Sequence, residues 1–246
     1  MKKEKIIFGS ILGVCIIVAV GLAGYAFYQA KGPKTSISVV GMAQKDFTSD
    51  LIVWNFNYSV ESTDIQDGNR QLKEQTKIVR NYLVAKGINE KEMVFPALDC
   101  DKQYRSLYNS EGNYTGQVFT GYRLQQRVQV SSTEVDKIEK ISREITELLD
   151  SNIEIYAENP EYYYTKLADL KVKMLAEASD DAHLRAETIA KHSGAKLGRL
   201  EQANMGVFQI TAPNSSDEDY TWGGAFNTTS KEKRATINMR LTYRIK

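Results

Sequence analysis

Residues 51–60 alternate between apolar and mostly polar side chains, a period of two that predicts a half-buried β-strand. The apolar positions are Ile52, Trp54, Phe56, Tyr58 and Val60. A helical period follows between Gly68 and Lys86, and Gly87 is expected to end this helix. Asp67 is its expected N-terminal cap. The apolar stripe of the helix comprises Leu72, Gln75, Ile78, Val79, Tyr82 and Leu83.

The same two periods predict the remaining elements. Residues 131–134 have capping-box spacing and precede a helix expected over 133–150, and a longer helix is expected over 166–192. The segments 105–119 and 213–231 are rich in polar and turn-forming residues, so both are expected to be long hairpin loops. Further strands are expected at 36–40, 93–104, 120–131, 153–164, 197–211 and 234–245.

The order strand, helix, strand, strand occurs twice, once over 51–131 and again over 153–245. Two such copies predict an α+β fold in which they complete one shared mixed sheet with helices packed on it. We expect a single domain over 37–246, because neither copy offers much separate core. Residues 31–36 are the expected linker to an N-terminal segment over 1–30.

Residues 6–27 form an uncharged apolar run that is interrupted only by small residues. As a helix rising about 1.5 Å per residue the run would extend about 33 Å, enough to cross a hydrocarbon core of about 30 Å. Secretory signals usually have an apolar core of about 7 to 15 residues, so we expect an uncleaved transmembrane helix. A cleaved signal peptide is the alternative, with residues 24–26 as its small-residue cleavage site.

Lysines flank this run unequally, with more of them before it than after it. They are Lys2, Lys3 and Lys5 on one side and Lys31 and Lys34 on the other. The positive-inside rule then keeps the N-terminus in the cytoplasm, and the remaining chain is expected in a bacterial periplasm, tethered to the inner membrane by a single pass. Cys100 is the one thiol expected there, which excludes an intrachain disulfide outside the membrane.

Charge and composition exclude two classes of protein. The 246 residues include 32 Lys plus Arg against 31 Asp plus Glu, and the 42% hydrophobic content is that of a folded protein rather than a disordered one. The basic run over 231–234 is interrupted by Glu232, so the concentrated cationic surface of a nucleic-acid binder is missing. Nucleic acid is not an expected partner.

A motif extends along the second long helix and past its end. Its residues are Ala178, Asp181, Ala182, Arg185, Ala186, Ala190, Gly194, Leu197 and Gly198. Gly121 and Tyr122 precede the fourth strand, and Gly41 and Asp50 stand near the first two strands. With these residues the sequence resembles the SIMPL domain family of bacterial periplasmic and envelope proteins over nearly the whole of 37–246. The resemblance implies a membrane-tethered assembly protein that forms ring-like or channel-like homo-oligomers and contributes to envelope integrity or oxidative-stress defence.

The alanines of this motif also have a physical interpretation of their own. They recur every four residues and form a smooth stripe, which lets a helix lie close to a sheet or to a neighbouring helix. Gly194 supplies a left-handed helix end, and Arg185 is expected to pair with Asp181 one turn earlier. We expect the stripe to face the protein's own sheet, with contact between subunits as the alternative.

Residues able to perform catalysis are scarce. His183 and His192 lie on one expected helix at a spacing that puts them on opposite faces, so they cannot share a metal ion. The sequence has no Cys-x-x-Cys pair, no phosphate-binding Gly-Lys loop and no dinucleotide-binding fingerprint. We therefore expect no catalytic residue, no metal ligand and no cofactor, and we do not expect an enzyme.

Aromatic residues crowd the two expected hairpin loops. The candidate interface residues among them are Tyr108, Tyr114, Tyr220 and Trp222. Tyrosine and tryptophan combine a large contact area with a polar group, which interfaces favour, although the rings could instead pack within their own loops. We expect a homo-oligomer. A periplasmic ligand-binding or transporter-accessory module, with an unknown small-molecule ligand, is the alternative function.

Overall fold

The computed structural model describes residues 13, 16–25, 35–213 and 223–246. Residues 13 and 16–25 are helical and are labelled α1. The rest of the expected membrane segment 6–27, and most of the expected linker 31–36, lie outside the described residues. Among the helices that are described, none is both long enough and apolar enough to span a membrane.

The chain from residue 35 onwards alternates between strands and helices. The strands are β1 (Ser36–Thr48), β2 (Leu51–Ser62), β3 (Met93–Val94), β4 (Asp99–Tyr108), β5 (Tyr114–Ser132), β6 (Ile155–Ala157), β7 (Glu161–Tyr163), β8 (Leu197–Met205), β9 (Gln209–Thr211) and β10 (Glu232–Ile245). The helices are α2 (Ile65–Ala85), α3 (Val135–Glu144) and α4 (Leu167–His192), with 3-10 turns at Glu90–Glu92 and Ile145–Ser151. The α+β class is confirmed. Each predicted copy has its long helix, but three strands follow that helix instead of two, and the first strand of the second copy is divided into β6 and β7.

The described residues form two sheets with antiparallel pairing, so the prediction of one shared mixed sheet is wrong. One sheet has the order β1-β10-β8, and β9 also pairs with β10. The other has the order β3-β5-β2-β6, where β4 also pairs with β5 and β7 with β2. The first strand of the second copy thus pairs with β2 of the first copy, through β6 and β7. The order of elements along a chain restricts the pairing of strands without determining it.

Contacts between residues divide the chain into two compact units. Unit 1 combines the described residues of Met1–Ala43 with Leu175–Gly206 and Ile237–Lys246. Unit 2 combines Gln44–Met174 with Val207–Thr236. Neither unit coincides with one copy of the repeat, and β1, β10 and α4 each contribute residues to both units.

The core of unit 2 lies between β2, β5 and the helices α2 and α3. All five apolar positions predicted on β2 are buried, and none is more than 6% exposed, which confirms the period of two. Buried apolar side chains of the other elements complete this core, among them Leu72, Val79, Leu83, Leu124, Val128, Val130, Ile138 and Ile141. The opposite face of β2 and β5 carries polar side chains, as expected for a sheet that is covered on one side.

Helix α2 begins earlier than predicted, because its cap is Asp64 and not Asp67. Asp64 Oδ1 accepts hydrogen bonds of 2.9 Å from the backbone N–H groups of Gln66 and Asp67. Asp67 therefore lies inside the first turn, where an acidic side chain also favours a helix start. Ile78, expected on the buried stripe, is 42% exposed and is a second error of the prediction.

Helix α3 starts without the predicted capping box at 131–134. Glu134 is the N-cap and its side chain makes no capping hydrogen bond; its backbone N–H donates instead to Ser132 Oγ at 3.1 Å. The helix predicted over 133–150 is α3 followed by the 3-10 turn, which Asn152 ends in a left-handed conformation with φ 60°.

Helix α4 agrees with its predicted bounds, and Gly194 follows it at φ 72°. The four stripe alanines Ala178, Ala182, Ala186 and Ala190 are at most 2% exposed. Within unit 1 the stripe meets β1 at Gly41, where an added Cβ would lie 2.3 Å from both the carbonyl oxygen of Ala178 and the backbone nitrogen of Ala182. Glycine at 41 therefore permits direct contact of strand and helix, and the expected internal role of the stripe is confirmed.

Asp181 joins the same two elements through hydrogen bonds. Its Oδ2 accepts a hydrogen bond of 2.9 Å from the backbone N–H of Met42. Arg185 Nε lies 3.0 Å from the same oxygen, which confirms the predicted pair. The Met42 hydrogen bond is the larger cause and Arg185 a smaller cause of a pKa of Asp181 below its usual range.

Candidate functional site

Strands β4 and β5 form a long hairpin that extends past the end of β2. Residues 122–132 of β5 pair with β2, whereas residues 114–121 pair with β4 alone. The turn is short: Asn109 Oδ1 accepts hydrogen bonds from the backbone N–H groups of Glu111 and Asn113 at 3.0 and 2.9 Å. We call residues 104–119 the aromatic arm.

The prediction of a long loop at 105–119 is therefore wrong. It rested on the Asn, Ser, Gly and Tyr content of this segment. Most of the Asn, Ser and Gly residues lie in the turn between Tyr108 and Tyr114, whereas the tyrosines themselves lie on the strands. The flanking tyrosine, valine, phenylalanine and threonine residues favour strands. They also meet across the two strands, which stabilises a hairpin.

One face of the aromatic arm carries four rings. Tyr104 lies opposite Phe119 and Tyr108 opposite Tyr114, with ring centroids 5.8 and 6.1 Å apart in edge-to-face geometry. These rings are 43 to 63% exposed, although each already contacts another ring. Phe119 also lies 5.2 Å from the ring of Tyr122, which connects the exposed rings to the partly buried edge of the core.

The four rings lie on the same side of the sheet as the core of unit 2, in the part of the hairpin that extends past the end of β2. Cys100 lies opposite Leu124, which is a core residue. Tyr104 follows Cys100 by four residues on the same strand, so the side chains of Cys100 and Tyr104 point to the same side of the sheet. Strand β2 ends at Ser62, and Gly121 passes so close to it that an added Cβ would be 2.6 Å from the Ser62 carbonyl oxygen. Beyond this point the four rings stay about half exposed.

The outer edge of β4 is unpaired in the part of the chain that the structure describes. Every residue of β4 except Gln103 is exposed, which is unusual for a strand of this length. The edge carries Asp101, Lys102 and Arg105, and none of these three forms an ion pair with a described residue. These charges were missed as candidates from the sequence, because a short run of mixed charges is typical of any solvent-exposed segment until β4 is known to be an edge strand.

The polar face of the same sheet contains a cleft of about 520 Å³. Side-chain amides from both strands line it, and Gln129 Nε2 donates a hydrogen bond of 3.2 Å to Asn55 Oδ1. Arg127 and Glu158 supply the charged groups of the cleft, although Arg127 also lies 3.0 Å from Asp99. The arrangement can bind a polar small molecule through several hydrogen bonds.

The remaining motif residues have structural contacts. Asp50 Oδ1 accepts a hydrogen bond from the Thr165 backbone N–H, and Asp50 Oδ2 accepts one from the Thr165 hydroxyl, both of 2.7 Å. Gly198 on β8 passes close to the carbonyl oxygen of Arg244, 2.6 Å from the position of an added Cβ. Gly41, Asp50, Gly121, Asp181 and Gly198 therefore position backbone segments. The Asp181–Arg185 pair is the one contact between charged side chains of the motif among the described residues.

The other candidates from the sequence fall at separate places. Tyr220 and Trp222 lie outside the described residues. Cys100 is a free thiol on the exposed strand β4. His183 Nδ1 lies 3.0 Å from the Tyr243 hydroxyl, and His192 Nδ1 lies 2.8 Å from the Thr188 carbonyl oxygen, so the two imidazoles have separate partners.

The chain matches a protein family over most of its length. The model of the family described as SIMPL, protein of unknown function (DUF541), matches residues 37–242. No curated protein matches the chain. The matched range runs from β1 almost to the end of β10 and includes the aromatic arm.

Proposed function

Because the chain belongs to the SIMPL (DUF541) family, we propose that it is a non-catalytic assembly protein whose copies associate through the aromatic arm. The observation that supports this most directly is the set of four neighbouring rings that stay 43 to 63% exposed on one face of a hairpin. Contiguous exposed apolar surface of this kind is typical of an interaction site.

The physical argument rests on the stability and the area of the arm. A two-stranded ribbon without a third element is marginally stable in water, so a partner that covers one face stabilises it. An aromatic side chain buries about 150 to 250 Å² when fully covered, and four half-exposed rings therefore offer roughly 400 Å². A standard interface buries about 800 Å² on each partner, so the rings supply about half of one.

The proposed location is the outer face of a bacterial inner membrane. The support is the uncharged run 6–27 with its flanking lysines, together with the exposed apolar side chains on the described part of α1, such as Ile17 and Leu22. The segment serves as a single-pass anchor, and the SIMPL domain projects into the periplasm. There the assembly contributes to envelope integrity or to defence against oxidative stress.

The proposal of a non-catalytic role is supported by the partners of the reactive side chains. Each histidine has its Nδ1 next to a structural group, which is the Tyr243 hydroxyl for His183 and the Thr188 carbonyl oxygen for His192. In neither case is the Nδ1 partner a serine or cysteine nucleophile.

The test is the size of the full-length chain in mild detergent, measured by light scattering over a range of concentrations. We expect an oligomer, and we expect Tyr108→Ser/Tyr114→Ser to shift it toward the monomer with unchanged circular dichroism. A matched control is Val172→Ser/Leu184→Ser, which removes two apolar residues of α4 that are 71 and 62% exposed. A monomeric wild type would refute assembly, and an unchanged oligomer in the tyrosine variant would exclude the arm.

The polar cleft favours a second function, a periplasmic ligand-binding or transporter-accessory module. Its volume lies within the range of about 300 to 1,000 Å³ that is usual for small-molecule sites. Native mass spectrometry of the chain isolated from cells tests this function. A co-purifying small molecule that is lost in Asn57→Ala/Gln125→Ala would support it, and a ligand-free wild type would count against it.

A further inference from the structure

The open edge of β4 carries charges in an order that fits a second copy of itself. We propose that two chains pair antiparallel along β4, around a two-fold axis through Gln103, so that the β4-containing sheets of the two copies join into one continuous sheet. This inference rests on the proposed assembly and names the contact that produces it.

Hydrogen-bond geometry first limits the possible registers. Along a strand, the N–H and C=O groups of successive residues point alternately to one neighbour and to the other. Two residues that face each other across an antiparallel pair must point their groups the same way, either both toward the partner or both away from it. When a strand pairs with its own copy, the two-fold axis must therefore pass through a residue and not between two residues.

Charge then selects among the residues on which the axis can lie. An axis through Asp101 or Arg105 would put each of these residues against its own copy, and an axis through Cys100 would put Asp99 against Asp101. Like charges directly opposite each other destabilise a sheet. An axis through Lys102 likewise puts two ammonium groups together. These four registers are disfavoured.

An axis through Gln103 has the opposite result. Asp101 then faces Arg105 of the second copy, and this happens twice because of the symmetry. Lys102 faces Tyr104 of the second copy, where an ammonium group can lie against an aromatic face. An axis through Tyr104 would pair no charge with a charge. Among the axis positions from Cys100 to Tyr104, only Gln103 places opposite charges against each other without also placing like charges against each other.

The described chain leaves these groups available for the second copy. Asp101, Lys102 and Arg105 have no ion-pair partner among the described residues, and the whole outer edge of β4 has no neighbouring strand there. Charged residues on an edge strand usually discourage pairing with other chains. Here the same charges permit pairing with a second copy in one register and disfavour pairing in the adjacent registers.

The first experiment uses charge reversal in the full-length chain. Asp101→Lys and Arg105→Glu each turn two attractive contacts into two repulsive ones, and each is expected to weaken self-association roughly 10- to 100-fold. An equimolar mixture of the two variants should associate again, because each reversed residue then faces its complement. Failure of the mixture to recover, while the wild type is oligomeric, would overturn this register and leave the proposed assembly standing.

A disulfide experiment fixes the register independently of charge. In the proposed pair Cys100 faces Ser106 of the second copy, and facing Cα atoms about 4.5 to 5.5 Å apart are within the range of a disulfide. Ser106→Cys should therefore yield covalent dimers under mild oxidation, and Ser106→Cys/Cys100→Ser should not. Thr115→Cys, which adds an exposed thiol to the arm away from the β4 edge, is the control for random collision.

The outcomes separate the two proposals. A monomeric wild type refutes both the assembly and the edge pairing. An oligomer whose Ser106→Cys variant forms no more covalent dimer than Thr115→Cys refutes the edge pairing alone, and the β4 edge is then left for a different protein. Covalent dimers that require both Cys100 and the thiol introduced by Ser106→Cys, together with recovery in the charge mixture, support the pairing.

Discussion

The carboxylate of Asp181 on helix α4 holds the backbone of Met42 on strand β1, with its Oδ2 2.9 Å from the Met42 nitrogen. The contact lies one residue from Gly41, where the helix and the strand touch without any side chain between them. The same contact between α4 and β1 therefore has two causes. Gly41 permits the close approach, and the Asp181 carboxylate binds the adjacent N–H. Unit 1 depends on both, and each can be removed separately.

Removal of the Asp181 carboxylate should destabilise the chain in a pH-dependent way. Asp181→Ala is expected to lower the free energy of unfolding by about 1 kcal/mol at pH 7, since it leaves the Met42 N–H without its acceptor. The pKa of Asp181 is lowered in the folded chain, so this stabilisation is present above the ordinary carboxyl pKa and is lost as the pH falls through the folded value.

The measurement is urea unfolding of the wild type and the variant between pH 7 and pH 3. Asp180→Ala is the control, because Asp180 is a neighbour on the same helix and forms no ion pair with a described residue. The difference between Asp181→Ala and wild type should shrink at the acid end. A difference that is constant with pH, or as large for Asp180→Ala, would contradict the role of the carboxylate.

Enlargement of the alanine stripe should destabilise the chain without changing its assembly. Ala182→Leu introduces three carbon atoms at a fully buried site against the Gly41 backbone, and overpacking of this kind costs about 1 to 3 kcal/mol. For a chain of this length the melting temperature should fall by roughly 2 to 10 °C. Glu187→Leu, at an exposed position of α4, is the control. A shift in oligomer size at an unchanged melting temperature would mean that the stripe contacts a second chain.

Burial of Tyr58 should make the chain sensitive to alkali. Desolvation raises the pKa of Tyr58 to about 12, and the Tyr58 hydroxyl donates a hydrogen bond of 2.8 Å to Thr76 Oγ1. Because the pKa is about 10 in an unfolded chain, the unfolded form loses its proton first, and stability falls as the pH rises from about 10 toward 12.

Tyr58→Phe removes this contribution and should flatten the dependence of stability on pH in that interval. Its cost at pH 7 is about 0.5 to 1.5 kcal/mol, since Thr76 loses a hydrogen-bond partner. The exposed Tyr104→Phe serves as the control in denaturant titrations at pH 8, 10 and 11. Equal slopes for wild type and Tyr58→Phe would show that this tyrosine does not control alkaline unfolding.

Membrane attachment should be visible in the native protein. If residues 6–27 serve as an anchor, the full-length chain should sediment with the inner membrane, resist extraction by carbonate and keep its N-terminal lysines in mass spectra. Substitution of Val18 and Leu22 by Arg should release it or prevent its accumulation, because charges at a helix centre oppose insertion. A soluble wild-type form that begins near residue 27 would identify a cleaved signal instead.

Several elements could be predicted from the sequence because their own residues decide them. The β2 alternation and the alanine stripe each place one residue type on one face, so burial follows from periodicity alone. Which strand pairs with which does not follow in this way, so the placement of β6 and β7 beside β2 is not predictable from the pattern. The composition of the aromatic arm indicates a loop because it is rich in Asn, Ser, Gly and Tyr. Its cross-strand ring pairs depend on a register that only the folded hairpin fixes.

The pairing of β1 with β10 determines when this fold can form. Thr242 donates a hydrogen bond to Ser38 across 204 positions of the chain, and Arg234 binds Asp46 across 188. Strand β1 is synthesised early, but it cannot pair with β10 until almost all of the remaining chain has been synthesised. Contacts between such distant segments close slowly, because a large loop must be ordered before they form. The pairing of β10 is therefore expected to be a late folding step, and the unpaired edge of β1 can bind wrong partners until that step is complete.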